Sequence, residues 1–153
     1  DINEKFNCDF TMDIMDVKKI SDLGDYDFIW ASPDCSPWSV TQIGRNWHKV
    51  TNEPKTEKAR LAILVVTHTV NLLVQSGKPF ALENPVGKLR KMDFMQNLNR
   101  QTVTYCQYGE RRRKPTDIWT HGFDWVPRPM CKNGDKCHEA APRGSKTETQ
   151  GMK

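Results

Sequence analysis

The chain has 153 residues, 37% of them hydrophobic and 27% charged, with a formal net charge of +4; this is the make-up of one ordinary globular domain with a modest core, not of a disordered or fibrous chain. The mild positive charge permits an anionic partner such as DNA without requiring one. Five cysteines at irregular spacing make no disulfide framework, no charged-then-apolar leader is read at the start, and the longest apolar run, residues 61–66, is far short of the roughly 20 that cross a bilayer, so a cytoplasmic chain without a membrane span is expected.

Residues 25–33 read Asp-Tyr-Asp-Phe-Ile-Trp-Ala-Ser-Pro, a short apolar stretch halted by a proline, as a buried parallel strand is when it runs into a loop; the strand is expected over 28–31. Residues 40–54 carry Gly44, Arg45, Asn46, Trp47, His48 and Lys49 without a period and are expected to form a mobile basic loop. A long helix follows over 57–75, with Leu61, Leu64, Val65, His68, Leu72 and Val74 available to a buried side and Gly77 as its stop. A second strand, 79–82, runs into Glu83-Asn84-Pro85, so two strands deliver polar residues to one edge. A short helix over 89–98, a strand over 102–107 and a last strand over 116–120, after the basic run Arg111-Arg112-Arg113-Lys114, complete the pattern. The alternation predicts an α/β fold with a mostly parallel sheet whose last two strands form an antiparallel hairpin. Residues 1–122 are expected to be the folded core and 123–153 a loop-rich basic extension.

The chemistry sits at the two strand ends. Ser32-Pro33-Asp34-Cys35-Ser36-Pro37 puts a cysteine on the loop after the first strand, where α/β folds place reactive groups. A lone cysteine is more often a small buried hydrophobe. Neighbouring parallel strands, however, bring Glu83 to the same edge, and a thiol plus a carboxyl suits attack on an electron-poor ring whose nitrogen is protonated at the same time.

Pro33-Asp34-Cys35 followed by Glu83-Asn84-Pro85 resembles the proline-cysteine and glutamate-asparagine motifs of the DNA cytosine-C5 methyltransferases. Tyr108-Gly109-Glu110-Arg111-Arg112-Arg113 ahead of Thr116-Asp117-Ile118-Trp119 is similar to that family's arginine-containing segment before its last strands. Asp1-Ile2 resembles the acidic strand end that holds the cofactor ribose, Thr11-Met12-Asp13-Ile14 the segment beside the adenine, and Arg60-Leu61 the start of the central helix. The likeness covers roughly residues 1–121 and extends to phage-encoded branches. It implies a Rossmann-like fold using S-adenosylmethionine, with Asp1, Asp13, Ile14 and Pro33 at the cofactor. Double-stranded DNA is the implied partner, met by Arg45, Lys49, Asn84 and Lys114. Cys35 as thiolate would add to C6 of a cytosine flipped out of the helix, Glu83 would protonate N3, and Arg111 or Arg113 would hold the base's O2 oxygen while C5 takes the methyl group.

Three departures qualify the resemblance. Asp34 stands where the family has a second proline, and a carboxylate beside a thiol opposes the thiolate unless a cation such as Arg45 or His48 offsets it. The Gly-rich strand-to-helix turn of a cofactor site and the strand before it are missing, so an upstream segment or a second chain is expected to complete that site. The stretch after Thr120 is short for a target-recognition domain. These departures keep open a catalytically inactive relative that binds DNA or a partner chain. An enzyme of free pyrimidine nucleotides with a thymidylate-synthase-type cysteine fits less well, because it predicts a phosphate-binding arginine set without the Glu-Asn-Pro strand end.

Cys131, Cys137 and His138, with Cys106, offer four zinc-type ligands, but five residues separate Cys131 from Cys137 where structural sites show tight pairs, so no metal is expected. Arg128, Lys132, Lys136, Arg143, Lys146 and Lys153 make the extension basic, as a solvated end or a DNA-contacting arm. His68 reads as a core histidine, and Trp38, Trp47, Trp119 and Trp125 as packing residues before base-stacking ones.

Overall fold

The computed structural model describes residues 1–139; Arg143, Lys146 and Lys153 of the basic extension lie outside the described residues. Four strands, β1 (Ile29–Ala31), β2 (Phe80–Pro85), β3 (Asn99–Thr104) and β4 (Pro115–His121), form one sheet in the order β1-β2-β4-β3. Only β1 and β2 are parallel; β4 runs antiparallel to both β2 and β3. The expected mostly parallel sheet is thus a mixed one, and connection length explains it. A parallel pair needs a crossover of about a dozen residues or more, which the segment carrying the long helix supplies between β1 and β2. Residues 105–114 are all that joins β3 to β4, enough for an antiparallel return.

Helix α1 (Ile43–Asn46) is a single turn and α2 (Glu57–Gln75) is the long helix. Helix α2 starts where Thr56 accepts the Ala59 N–H on its hydroxyl at 3.3 Å, with Glu57 in the first turn facing the positive end of the helix dipole. It ends at Ser76, followed by Gly77 at φ 65°, a left-handed conformation that glycine adopts without Cβ strain. Its buried stripe is Ala59, Ala62, Val66, Thr69, Val70 and Leu73, at three- and four-residue spacing. Leu61, Leu64 and Val74, expected inside, are instead more than half exposed. Ala59 and Ala62 head the stripe and belong to the buried cluster, while the bulkier leucines at 61 and 64 lie on the opposite, exposed side. His68 joins Nε2 to the Val17 carbonyl at 3.0 Å and so ties the N-terminal segment to α2.

One sheet face is filled by α2 against Phe80, Leu82 and Trp119, with Trp38, Leu89, Met92 and Met95 closing the cluster. Those last three are not the helix expected over 89–98. They lie along two 3-10 turns, Leu89–Lys91 and Asp93–Met95, whose three-residue repeat places Leu89, Met92 and Met95 on one buried side. On the other face Ala81, Val103 and Ile118 pack with Tyr105 and Trp125. β3 begins earlier than the expected 102–107, because an edge strand is set by pairing with β4 and needs only alternate apolar residues. Residues 105–108 leave the sheet as a 3-10 turn, Tyr105–Tyr108.

The stretch 40–54, expected as a loop without elements, contains some: a 3-10 turn, Val40–Gln42, leads into α1, and a bridge pairs Trp47 with Pro54. Trp47 is fully buried and stacks on Trp38 with centroids 4.8 Å apart. Burial of two indoles outweighs the polar composition that suggests a loop.

Candidate active site

Parallel pairing of β1 with β2 places Ala31 opposite Leu82, so the Cys35 loop leaves β1 beside Glu83; β2, expected to end at 82, runs on to Pro85 because Glu83, Asn84 and Pro85 pair with Ile118, Asp117 and Thr116 of β4. The two motifs are joined directly: Asn84 Nδ2 donates to the Pro33 carbonyl at 3.0 Å. Asn84, expected as a DNA contact, is fully buried in this chain, and its amide joins β2 to the loop after β1.

The loop itself is fastened from below. Asp34 accepts the Ser36 N–H at 2.8 Å and the Ser36 hydroxyl at 2.7 Å, an Asx turn that starts the loop's bend. The Trp38 and Ser39 N–H groups both donate to the Cys35 carbonyl at 3.1 Å. Pro37's carbonyl accepts from the Trp47 indole at 2.8 Å and from the Asn46 amide at 3.3 Å. Gly87 passes beneath, where a Cβ would meet the Trp38 carbonyl oxygen at 2.3 Å, so only glycine fits without a shift. Cys35 itself remains exposed. The Asp34 carboxylate is therefore engaged by Ser36, and among the described residues no ion pair links it to Arg45 or His48. Arg45 and Lys49 are exposed.

Glu83 is the reverse case, 7% exposed on β2. Its Oε1 accepts the Tyr105 hydroxyl at 2.8 Å, and Lys114 Nζ stands 3.5 Å from the same oxygen. Lys114 also lies over the Tyr105 ring, 4.7 Å from its centroid. Burial first, and then the hydrogen bond and charge of Glu83, push the Tyr105 phenol far above its ordinary range, so it stays a protonated donor. Tyr105 was not singled out from sequence, although Val103 and Tyr105 alternate onto the face that carries Glu83. Beside Tyr105 lies an apolar cavity of about 470 Å³, lined by Phe28, Trp30, Ile118, Phe123 and Trp125 among others.

Arg111 and Arg113 are directed elsewhere. Arg111 forms a bidentate pair with Glu139 at 2.9 and 2.7 Å, and Arg113 donates to Asn133 Oδ1 at 2.7 Å and to the Cys131 carbonyl at 3.3 Å. The cation that the fold brings to Glu83 is Lys114, expected on sequence grounds as a DNA contact.

Asp1 and Met12 are linked through the Met12 N–H and the Asp1 carbonyl at 2.9 Å, which brings Asp1 beside Asp13 and Ile14. Both carboxylates are exposed and serve their own turns, Asp1 accepting from the Asn3 N–H at 2.8 Å and Asp13 from the Met15 N–H at 2.9 Å. They do not form an enclosing cradle for an adenosine.

No protein-family model matches the chain. A relative from Frog virus 3 (isolate Goorha), named a probable DNA (cytosine-5)-methyltransferase, is 28% identical over 139 residues, covering 86% of this chain. The chain is thus similar in sequence to a protein named as a probable DNA (cytosine-5)-methyltransferase. It spans 63% of that viral relative's length. The mixed sheet with a thiol and a carboxyl at one edge is consistent with such a catalytic portion, and no helix among the described residues is long and apolar enough to cross a membrane.

Proposed function

We infer that this protein acts on DNA as a cytosine-C5 methyltransferase and that residues 1–122 carry the base-activating half of its site. The observation that supports this most is the hydrogen bond from Asn84 to the Pro33 carbonyl, which ties an exposed thiol and a buried carboxyl to one sheet edge. A thiol at that edge can reach a cytosine only after the base leaves the stack, so flipping precedes chemistry. Cys35 Sγ gives its proton to solvent and adds to C6 as thiolate while Glu83 relays a proton to N3, so ring electron density moves to C5; after methyl transfer, loss of the C5 proton expels the thiolate and frees the base. Tyr105 and Lys114 hold the Glu83 carboxyl at a fixed orientation, and the exposed Arg45 and Lys49 are candidate phosphate contacts.

S-adenosylmethionine would supply the methyl group. Asp1 and Asp13, committed to their own turns, do not enclose it, and Asp1, Asp13, Ile14 and Pro33 are expected to give weaker than micromolar binding by calorimetry. That same feature favours a second reading, an inactive relative that binds DNA or a partner chain. A duplex carrying 5-azacytosine separates the two, since thiolate addition to its electron-poor C6 persists without a methyl donor. The enzyme reading predicts a covalent protein–DNA band that maps to Cys35 and vanishes in Cys35→Ala. Absence of any adduct in the unaltered chain, or its survival in Cys35→Ala, would contradict it.

A further inference from the structure

Four side chains that the sequence scatters meet at the turn after β3. Cys106 Sγ lies 3.1 Å from Cys131 Sγ and 3.6 Å from Cys137 Sγ, and His138 Nδ1 lies 3.8 Å from Cys131 Sγ and 3.6 Å from Cys137 Sγ. All four ligand atoms fall within 4.8 Å of one another. We propose that Cys106, Cys131, Cys137 and His138 bind one zinc ion, which fastens the segment 131–138 to the turn beside β3.

The spacing suits a tetrahedral shell. Zinc bonds of about 2.3 Å to sulfur and 2.0 Å to nitrogen separate neighbouring ligand atoms by roughly 3.5 to 3.8 Å, and three of the four distances above, 3.6, 3.6 and 3.8 Å, lie in that range. Three sulfurs and an imidazole are also the donor set that soft, tetrahedral zinc takes in preference to calcium, magnesium or manganese. Four protein ligands leave no open position, so the ion is structural. On binding, the three thiols release their protons, and His138 ligates through Nδ1 with its remaining proton on Nε2.

The surroundings are built around these atoms. Gln107 Nε2 donates to Cys137 Sγ at 3.2 Å, the kind of outer contact that orients a thiolate ligand. The Cys131 N–H donates to Thr104 Oγ1 at 3.0 Å, and the Arg113 guanidinium rests on the Cys131 carbonyl, setting a positive charge near a shell of net charge −1. A disulfide between Cys106 and Cys131 would leave the third sulfur and the imidazole without a reason to converge. The spacing that argues against zinc in the sequence does not apply, because Cys131 and the tight unit Cys137-His138 share one segment and the fourth ligand, Cys106, is brought in from the turn after β3.

The ion would matter to the site already described, since Cys106 follows Tyr105, the donor to Glu83. The metal itself, however, is independent of any reading of Cys35 and Glu83. The test is metal analysis of the full chain, purified from zinc-supplied cells without a metal-affinity step. About one zinc per chain is expected, together with five free thiols once the protein is denatured and the metal removed. Cobalt replacement should give thiolate-to-cobalt charge-transfer and tetrahedral d–d bands. Cys137 is exposed, so Cys137→Ser leaves the packing intact yet should lose most of the metal, as should His138→Ala, while Cys8→Ser keeps it. Chelation should lower the thermal midpoint by roughly 5 °C or more. Metal far below one per chain, a Cys106–Cys131 disulfide, or cobalt bands unchanged in Cys137→Ser would overturn the proposal.

Discussion

Two cysteine-bearing loops in this protein look alike in their lack of regular structure and are held by opposite means. The Cys35 loop sits on a floor of buried indoles, with Trp38 and Trp47 stacked beneath it and Gly87 crossing under its backbone. The segment around Cys131 has no helix or strand among the described residues and is held by side chains: Arg113 on Cys131 and Asn133, Arg128 on the Gln107 carbonyl and the Tyr108 ring, Arg111 on Glu139. Hydrophobic burial fixes the first loop whatever the solvent holds. The second depends on polar contacts, each individually modest, and on whatever its four clustered ligands bind.

The contrast predicts a graded response to substitution. Trp47→Ala removes a fully buried ring and its hydrogen bond to Pro37, and should lower unfolding stability by about 3–5 kcal/mol in urea titrations. A loss under about 1 kcal/mol would mean that the loop is not carried by its floor. Gly87→Ala forces the Trp38 carbonyl to move and should follow at roughly 1–3 kcal/mol. Tyr105→Phe deletes one hydrogen bond to a buried carboxylate and should lose about 1.5–3 kcal/mol. If Tyr105 also positions Glu83 for chemistry, the rate of base activation should fall about tenfold or more in folded enzyme, and an unchanged rate would reduce Tyr105 to a packing role. The smallest effect belongs to the polar segment: Arg111→Ala breaks a surface pair whose two side chains are both more than half exposed, and should shift stability by no more than about 1 kcal/mol.

The same contrast explains what could be read from the sequence. Helix α2 is legible residue for residue, because a capping threonine, a long apolar run and Gly77 all act locally. Its buried face is not, since apolar residues lie all round the helix and only packing selects Ala59, Ala62 and Val66 over Leu61 and Leu64. The two short apolar strands before Pro33 and Glu83 are legible, whereas the continuation of β2 to Pro85 and the antiparallel insertion of β4 follow from pairing that periodicity does not encode. Trp47 shows the limit in the Cys35 loop: polar neighbours disguise a residue that packs against another tryptophan nine positions earlier. In the second loop the convergence of Cys106 with Cys131 and Cys137 depends on the return of the chain past β4, so spacing alone points away from it.

The central claim is that Cys35 and Glu83 together activate a cytosine, and it can be tested without a methyl donor. Addition of the thiolate to C6 with protonation at N3 makes C5 exchange its hydrogen with water, so DNA labelled with tritium at cytosine C5 reports the step directly. The unaltered chain should release tritium, Cys35→Ala should release none above the protein-free rate, and Glu83→Gln should slow release by about a hundredfold or more, as expected for loss of a positioned proton donor. Release at equal rates from all three would show that this sheet edge is not the site of the chemistry.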